Sequence, residues 1–251
     1  MFRFILTLCL LAMPLQAEEV VLGLSSDKVA ITATFEGSDI LIFGAVKRET
    51  AISEIPLDVI ITVAGPSVPV TVRRKDRRFG IWVNTEVVEL DAAPSFYAVA
   101  TTGPFDEVMS NTEDLRHRVS IGRAIRSVGA ATMAEDAGRF TEALIRIRRD
   151  KDAYQVREGA VAIDEQTLFR TSISLPANLT EGAYETRIFL TREGRVVSEF
   201  DTTIDVRKVG LERWLYSLSR EQPMIYGLMS LAIAIAAGWM ASAAFQALRR
   251  G

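Results

Sequence analysis

Apolar and polar positions alternate at period two through Val29-Ala30-Ile31-Thr32-Ala33-Thr34-Phe35, and Glu36-Gly37-Ser38-Asp39 leads into a second run, Ile40 to Val46. Two such runs around a short polar stretch predict a β-hairpin. Pro56 opens the next run, Leu57 to Val63, whose unbroken apolar character predicts a strand buried on both faces. Ala64-Gly65-Pro66 turns it. Val68, Val70 and Val72 alternate on the following strand, Phe79 to Val83 continues, and Phe96 to Thr101 closes the set. Short strands with turns about every 8–12 residues predict a sandwich or barrel.

The period changes after Gly103-Pro104. Thr132-Met133-Ala134-Glu135 has capping-box spacing, Phe140, Leu144 and Ile147 recur at helical intervals, and Arg146, Arg148 and Arg149 load the far end. Asn111 to His117 predicts a shorter helix before it. Strands return at Thr167 to Leu175, Tyr184 to Leu190 and Val196 to Val206. The fold class expected is mainly β: an immunoglobulin-like β-sandwich over 18–103 with a helical insertion over 104–152. The strands of 153–208 either complete that sandwich or form a second module, and the order strand–helix–strand favours two unequal parts.

Two apolar segments fall outside this body. Residues 1–17 carry Arg3, an apolar run from Phe4 to Met13, then Pro14 and Ala17, the layout of a cleaved signal peptide. Residues 223–248 hold no charge until Arg249-Arg250 and are long enough to cross about 30 Å of hydrocarbon, with Tyr226 and Trp239 as interfacial aromatics. Leu211, Trp214, Leu215 and Leu218 predict a juxtamembrane amphipathic helix within 209–222, which Pro223 kinks into the span. Signal and span together give one topology: body in the periplasm, span in the bacterial inner membrane, and a short cytoplasmic tail, 249–251. Orientation rests on the signal peptide, because four cations (Arg207, Lys208, Arg213, Arg220) stand on the outer side of the span.

Composition narrows the chemistry. Cys9 is the single cysteine and lies in the leader, and His117 is the single histidine. A disulfide framework, a Cys/His metal centre and a cysteine nucleophile are therefore not expected, and no cofactor is implied. Setting aside Arg3, Arg249 and Arg250 leaves 26 of the 29 basic residues against 32 acidic ones, a balance of −6, which argues against nucleic acid as a partner.

No catalytic constellation emerges. His117, between Arg116 and Arg118, reads as a surface helix residue, with a base beside some serine as the alternative. Ser25-Ser26-Asp27-Lys28 matches S-x-x-K, but it sits in a turn, which would not lay the lysine over the serine. Asp201 and Asp205 on one strand would be about 13 Å apart, beyond the reach of a glycosidase pair, and Asp150 and Asp152 lie in a charged loop.

Two binding features stand out. Arg73, Arg74, Lys75, Arg77 and Arg78 form a cationic run, read either as a solvated hairpin tip or as a patch for anionic lipid headgroups or an acidic partner. A second cationic stretch, with Arg116, Arg118, Arg123 and Arg126, could extend the same face. In the span, Ala234, Gly238 and Ser242 lie four apart, a spacing that lets another helix approach closely.

The stretches EEVVLGLSSDKVAITATFEGSDILIFGAV (18–46) and SFYAVATTGP (95–104), with the single C-terminal span, resemble the alphaproteobacterial transmembrane protein family Alph_Pro_TM. The resemblance covers nearly the whole chain and brings no catalytic residues with it. It implies a partner of the sulfite-exporter (TauE/SafE) transporter type. The function expected is a non-enzymatic, membrane-anchored interaction module docking on a multi-pass protein. The alternative is an anchored envelope hydrolase or carbohydrate-binding protein using carboxylates.

Overall fold

The computed structural model describes residues 19–24, 28–31, 37–48, 53–127, 137–208 and 211–250. The expected leader over 1–17, most of the S-x-x-K match and the expected capping box at 132–135 lie outside them. The chain divides into two units: one holds most of the β strands and the helices between residues 105 and 149, the other the C-terminal helices.

Among the described residues twelve strands, β1 (Glu19–Leu24), β2 (Lys28–Ile31), β3 (Gly37–Lys47), β4 (Asp58–Ala64), β5 (Ser67–Arg78), β6 (Ile81–Pro94), β7 (Tyr97–Thr101), β8 (Tyr154–Arg157), β9 (Ala162–Asp164), β10 (Leu168–Pro176), β11 (Gly182–Arg192) and β12 (Arg195–Lys208), make the chain mainly β. They form a four-stranded sheet, β1-β3-β10-β9, a six-stranded sheet, β2-β12-β11-β4-β7-β8, and a two-stranded ribbon, β5-β6. Strands from before and after the helical stretch share both sheets: β10 pairs with β3, and β11 with β4.

The expected hairpin between 29–35 and 40–46 is not formed. β2 and β3 enter different sheets, and β3 pairs instead with β1 and β10. Alternation shows that one face of a strand is buried but says nothing about its neighbour. Here Ile40, Ile42 and Val46 of β3 and Phe169, Ile173 and Leu175 of β10 turn the same sheet face inward.

β4 and β7 have no exposed face, and Val59, Ile60, Ile61 and Val63 are almost entirely sheltered. Each such side chain contributes about 1.5–3 kcal/mol by leaving water. One face of the six-stranded sheet meets the four-stranded one, where Gln155 and Arg157 donate to the Ser174 and Ser172 carbonyls of β10 at 2.9 and 2.6 Å. The other face is covered by the helical stretch, α1 (Phe105–Val108), α2 (Asn111–His117), α3 (Ile121–Ala124) and α4 (Ala137–Arg149). That placement follows from topology. β7 and β8 run parallel, and a parallel pair needs a long crossover lying over the sheet. Phe140 and Leu144 of α4 are buried as expected, whereas Ile147 is 45% exposed.

Two buried tyrosines, register partners on β7 and β8, pin this layer. Tyr97 donates to the Val119 carbonyl and Tyr154 to the Pro94 carbonyl, both at 2.8 Å. Burial pushes the Tyr154 phenol up from 10.0 to about 12, against the opposing pull of Arg148. A folded pKa above the unfolded one leaves stability flat below pH 10 and erodes it as the pH climbs from 10 toward 12. Tyr154→Phe is expected to cost about 1 kcal/mol at neutral pH and to make the alkaline decline shallower. Denaturation midpoints measured at pH 8 and pH 11 check both.

In the second unit, α5 (Leu211–Glu221) and α6 (Pro223–Arg250) are bridged by the Gln222 amide bonding the Leu218 carbonyl at 3.0 Å. Pro223 takes the first position of α6, where its missing N–H breaks no bond. Within α6, Pro223–Ala243 is a 21-residue stretch of mean hydropathy 1.8 with no side chain buried by the protein itself, a candidate transmembrane helix.

Candidate functional site

The ladder between β4 and β7 does not stop at the sheet's end. The Gly65 amide bonds the Phe96 carbonyl at 2.8 Å, the Ser95 amide bonds the Pro66 carbonyl at 2.9 Å, and pairing then continues from Ser67↔Pro94 to Arg78↔Ile81. The β5-β6 ribbon is thus an arm continuous with the most deeply buried strands. Its base is anchored by Val72, Val88, Leu90 and Ala93, packed in one core with Phe140 and Leu144 of α4. Pro69 falls at a register shift, where its missing N–H is tolerated.

Beyond Val72 the arm leaves the core, and every residue of β5 from Arg73 to Arg78 is exposed. Arg73, Arg74, Lys75, Arg77 and Arg78 therefore lie along a strand and do not form the tip. The tip is Phe79-Gly80, both at positive φ (51° and 85°), a two-residue turn matching the twist of its strands. Phe79 is fully exposed, Ile81 is 65% and Trp82 69% exposed. Trp82 stands opposite Arg77 and Ile81 opposite Arg78, so each face of the ribbon shows a cation beside an apolar side chain. The Asp76 carboxylate accepts from the Arg77 amide at 2.8 Å, and Glu86 approaches Arg74 at 3.5 Å in a solvated pair of little energetic weight.

Where the arm passes α4, a cleft of about 390 Å³ opens, lined by Val72, Arg73, Arg74 and Lys75 on one side and Arg139, Phe140, Ala143, Arg146 and Ile147 on the other. Its described lining has five cations, no carboxylate and an apolar floor. Nothing in the order of residues ties Arg139 and Arg146 to this patch. Helical spacing places them on one face of α4, but only the fold sets that face against β5.

The second cationic stretch does not join it. Arg116 pairs with Glu113 and Arg123 with Asp114, both at 2.7 Å, and none of its four arginines lines the cleft. Both nitrogens of His117 face carboxylates, Nδ1 with Glu199 at 3.1 Å and Nε2 with Glu113 at 3.6 Å, while its ring meets Phe189 edge-on. Arg187 donates to the His117 carbonyl at 2.8 Å and lies over the same Phe189 ring. The cluster ties α2 to β11 and β12, and the described partners of the imidazole are carboxylates and a phenyl ring. Asp201 and Asp205 sit along β12 opposite Arg187 and Ala183. Among the described residues no group of three or more His, Cys, Asp or Glu side chains could hold a metal ion.

Ala234, Gly238 and Ser242 lie on α6 within the apolar stretch and are exposed, and a Cβ added at Gly238 would meet open space. A search of the curated proteins finds no match to the chain. The model of the family described as "Putative transmembrane protein (Alph_Pro_TM)" matches residues 19–247, so the arm, the body that carries it and the apolar helix all lie inside the match, and the chain belongs to that family.

Proposed function

We propose that this protein is a membrane-anchored interaction module that works by binding rather than by catalysis. It holds its β body in the periplasm, its span in the bacterial inner membrane and its C-terminus in the cytoplasm. Its partner would be a multi-pass inner-membrane protein, with a sulfite-exporter-type transporter as the candidate the family resemblance implies. The observation that carries the reading is the β5-β6 arm. Its distal half contributes nothing to the core, yet its ladder, with register shifts at Val68/Val70 and Arg74/Lys75, runs from the buried sheet to its cationic, aromatic end. A recognition element has that form.

Gentle detergent extraction of the tagged full-length chain, followed by mass spectrometry, tests the accessory role. A multi-pass protein recovered in fixed proportion is the expected result, and recovery of the chain alone overturns it. Gly238→Leu is expected to lower that recovery several-fold, because a leucine there blocks close approach of a second helix, while its Cβ would stand in open space.

A further inference from the structure

We propose that the tip of the β5-β6 arm seats in the surface of an anionic bilayer, with Phe79, Ile81 and Trp82 at the headgroup boundary and the flanking arginines on lipid phosphates. This rests on reading the arm as the recognition element and names what it recognises.

Three observations carry it. First, the exposed apolar side chains occupy the turn and both faces of the ribbon. A protein groove covers one face of a hairpin, whereas a fluid interface surrounds all of it. Second, Arg77 stands opposite Trp82 and Arg78 opposite Ile81. Arginine stems lie along apolar surface while their heads reach phosphate, and clustered cations near a membrane favour anionic lipid. Residues 73–86 hold five cations against two carboxylates, Asp76 and Glu86. Third, the body is covalently tied to a bilayer-crossing helix: β12 ends at Lys208 and α5 begins at Leu211. Tethering raises the local concentration of lipid surface without any new contact. Depth is limited, because a two-stranded ribbon has two open edges whose backbone groups cannot enter hydrocarbon.

The test uses the full-length chain with Trp214→Phe and Trp239→Phe, which leaves Trp82 as the sole tryptophan. It is reconstituted into vesicles of phosphatidylcholine with or without phosphatidylglycerol, each made with and without brominated acyl chains. The expected result is blue-shifted Trp82 emission and strong bromolipid quenching in the anionic vesicles. Quenching should fall several-fold in neutral vesicles and in molar salt. Adding Phe79→Ser and Ile81→Ser, both at exposed positions, is expected to abolish it while leaving the body's near-ultraviolet circular dichroism unchanged. Water-like, unquenched Trp82 in anionic vesicles overturns the proposal, as does equal quenching in neutral ones or shielding that needs a co-purified acidic protein. A transporter recovered alongside an unquenched Trp82 overturns the lipid contact alone. A quenched Trp82 with no recovered partner overturns the accessory role alone.

Discussion

Asp114→Ala is expected to lower the melting temperature of the β body by about 6–12 °C, a loss of about 3 kcal/mol in a domain of this size. Asp114 is 5% exposed, and its carboxylate holds together the junction of two short helices. Oδ1 accepts from the Val119 amide at 3.0 Å and the Ser120 amide at 2.7 Å, and Oδ2 accepts from Arg123 Nε at 2.7 Å. Helices of seven and four residues are too short to persist alone. The chain between them also passes through Arg118 at φ 53°, so the carboxylate supplies what helix propensity does not. Alanine leaves two amides without their acceptor, one of them on the fully buried Val119. Hydrogen bonds to a charged group contribute about 1.5–3 kcal/mol each, and the partly exposed Arg123 adds little. Asp114→Asn keeps an acceptor at Oδ1 and should lose less than half as much. Thermal melts of the three proteins in one detergent decide the matter, and equal midpoints would mean the junction is held by packing alone.

Gly44→Val is the second large effect, expected to cost about 3 kcal/mol and to impair folding at physiological temperature. Gly44 lies on the inward face of β3, opposite Phe169 of β10, and the phenylalanine ring occupies the space a side chain would need. A Cβ at Gly44 would come 2.5 Å from that ring and 2.9 Å from the Val21 carbonyl oxygen of β1. The ring can shift at some cost, but the carbonyl belongs to the ladder. Overpacking a core typically costs about 1–3 kcal/mol, more where backbone has to move. Phe169→Leu alone should lose about 1–1.5 kcal/mol as a hydrophobic replacement of smaller volume. The double variant Gly44→Val with Phe169→Leu should then be more stable than the sum of the two losses, because each relieves the other. Additive losses would show that the Val21 carbonyl, and not the ring, sets the limit.

Much of this fold is legible along the chain, and the losses have physical causes. Runs with a strong apolar pattern keep their identity: Leu57 to Val63 corresponds, one residue displaced, to the doubly buried β4, Tyr184 to Leu190 lies within β11, and Phe140 with Leu144 gives α4 its inward face. Partnership is not legible. β3 joins β1 and β10, and its pairing with β10 is fixed by burial across a separation of more than 120 residues. β8 and β9 are only four and three residues long and carry no usable period. For the candidate site, the five cations of 73–78 are conspicuous, but charge marks a solvated strand as readily as a solvated turn. The run therefore does not disclose that the turn lies at Phe79-Gly80, and the aromatic tip is hidden with it. Arg139 and Arg146 need the fold, and so does the Glu199 that meets His117 from 82 residues away.

The pairing of β3 with β10 and of β4 with β11 has a consequence for the order of events in the cell. Neither sheet can close until β10, β11 and β12 exist, and those strands come almost last in the body. β4, apolar on both sides, finds β7 nearby on one edge, but its other edge must wait for β11, made more than a hundred residues later, a long-range closure that is intrinsically slow. Synthesis passes from β12 to α5 and the apolar helix α6. The final strands thus emerge only just ahead of the candidate transmembrane helix. A version ended before β10 would leave one edge of β3 and one edge of β4 without a partner, an adhesive fragment for proteases and chaperones to clear.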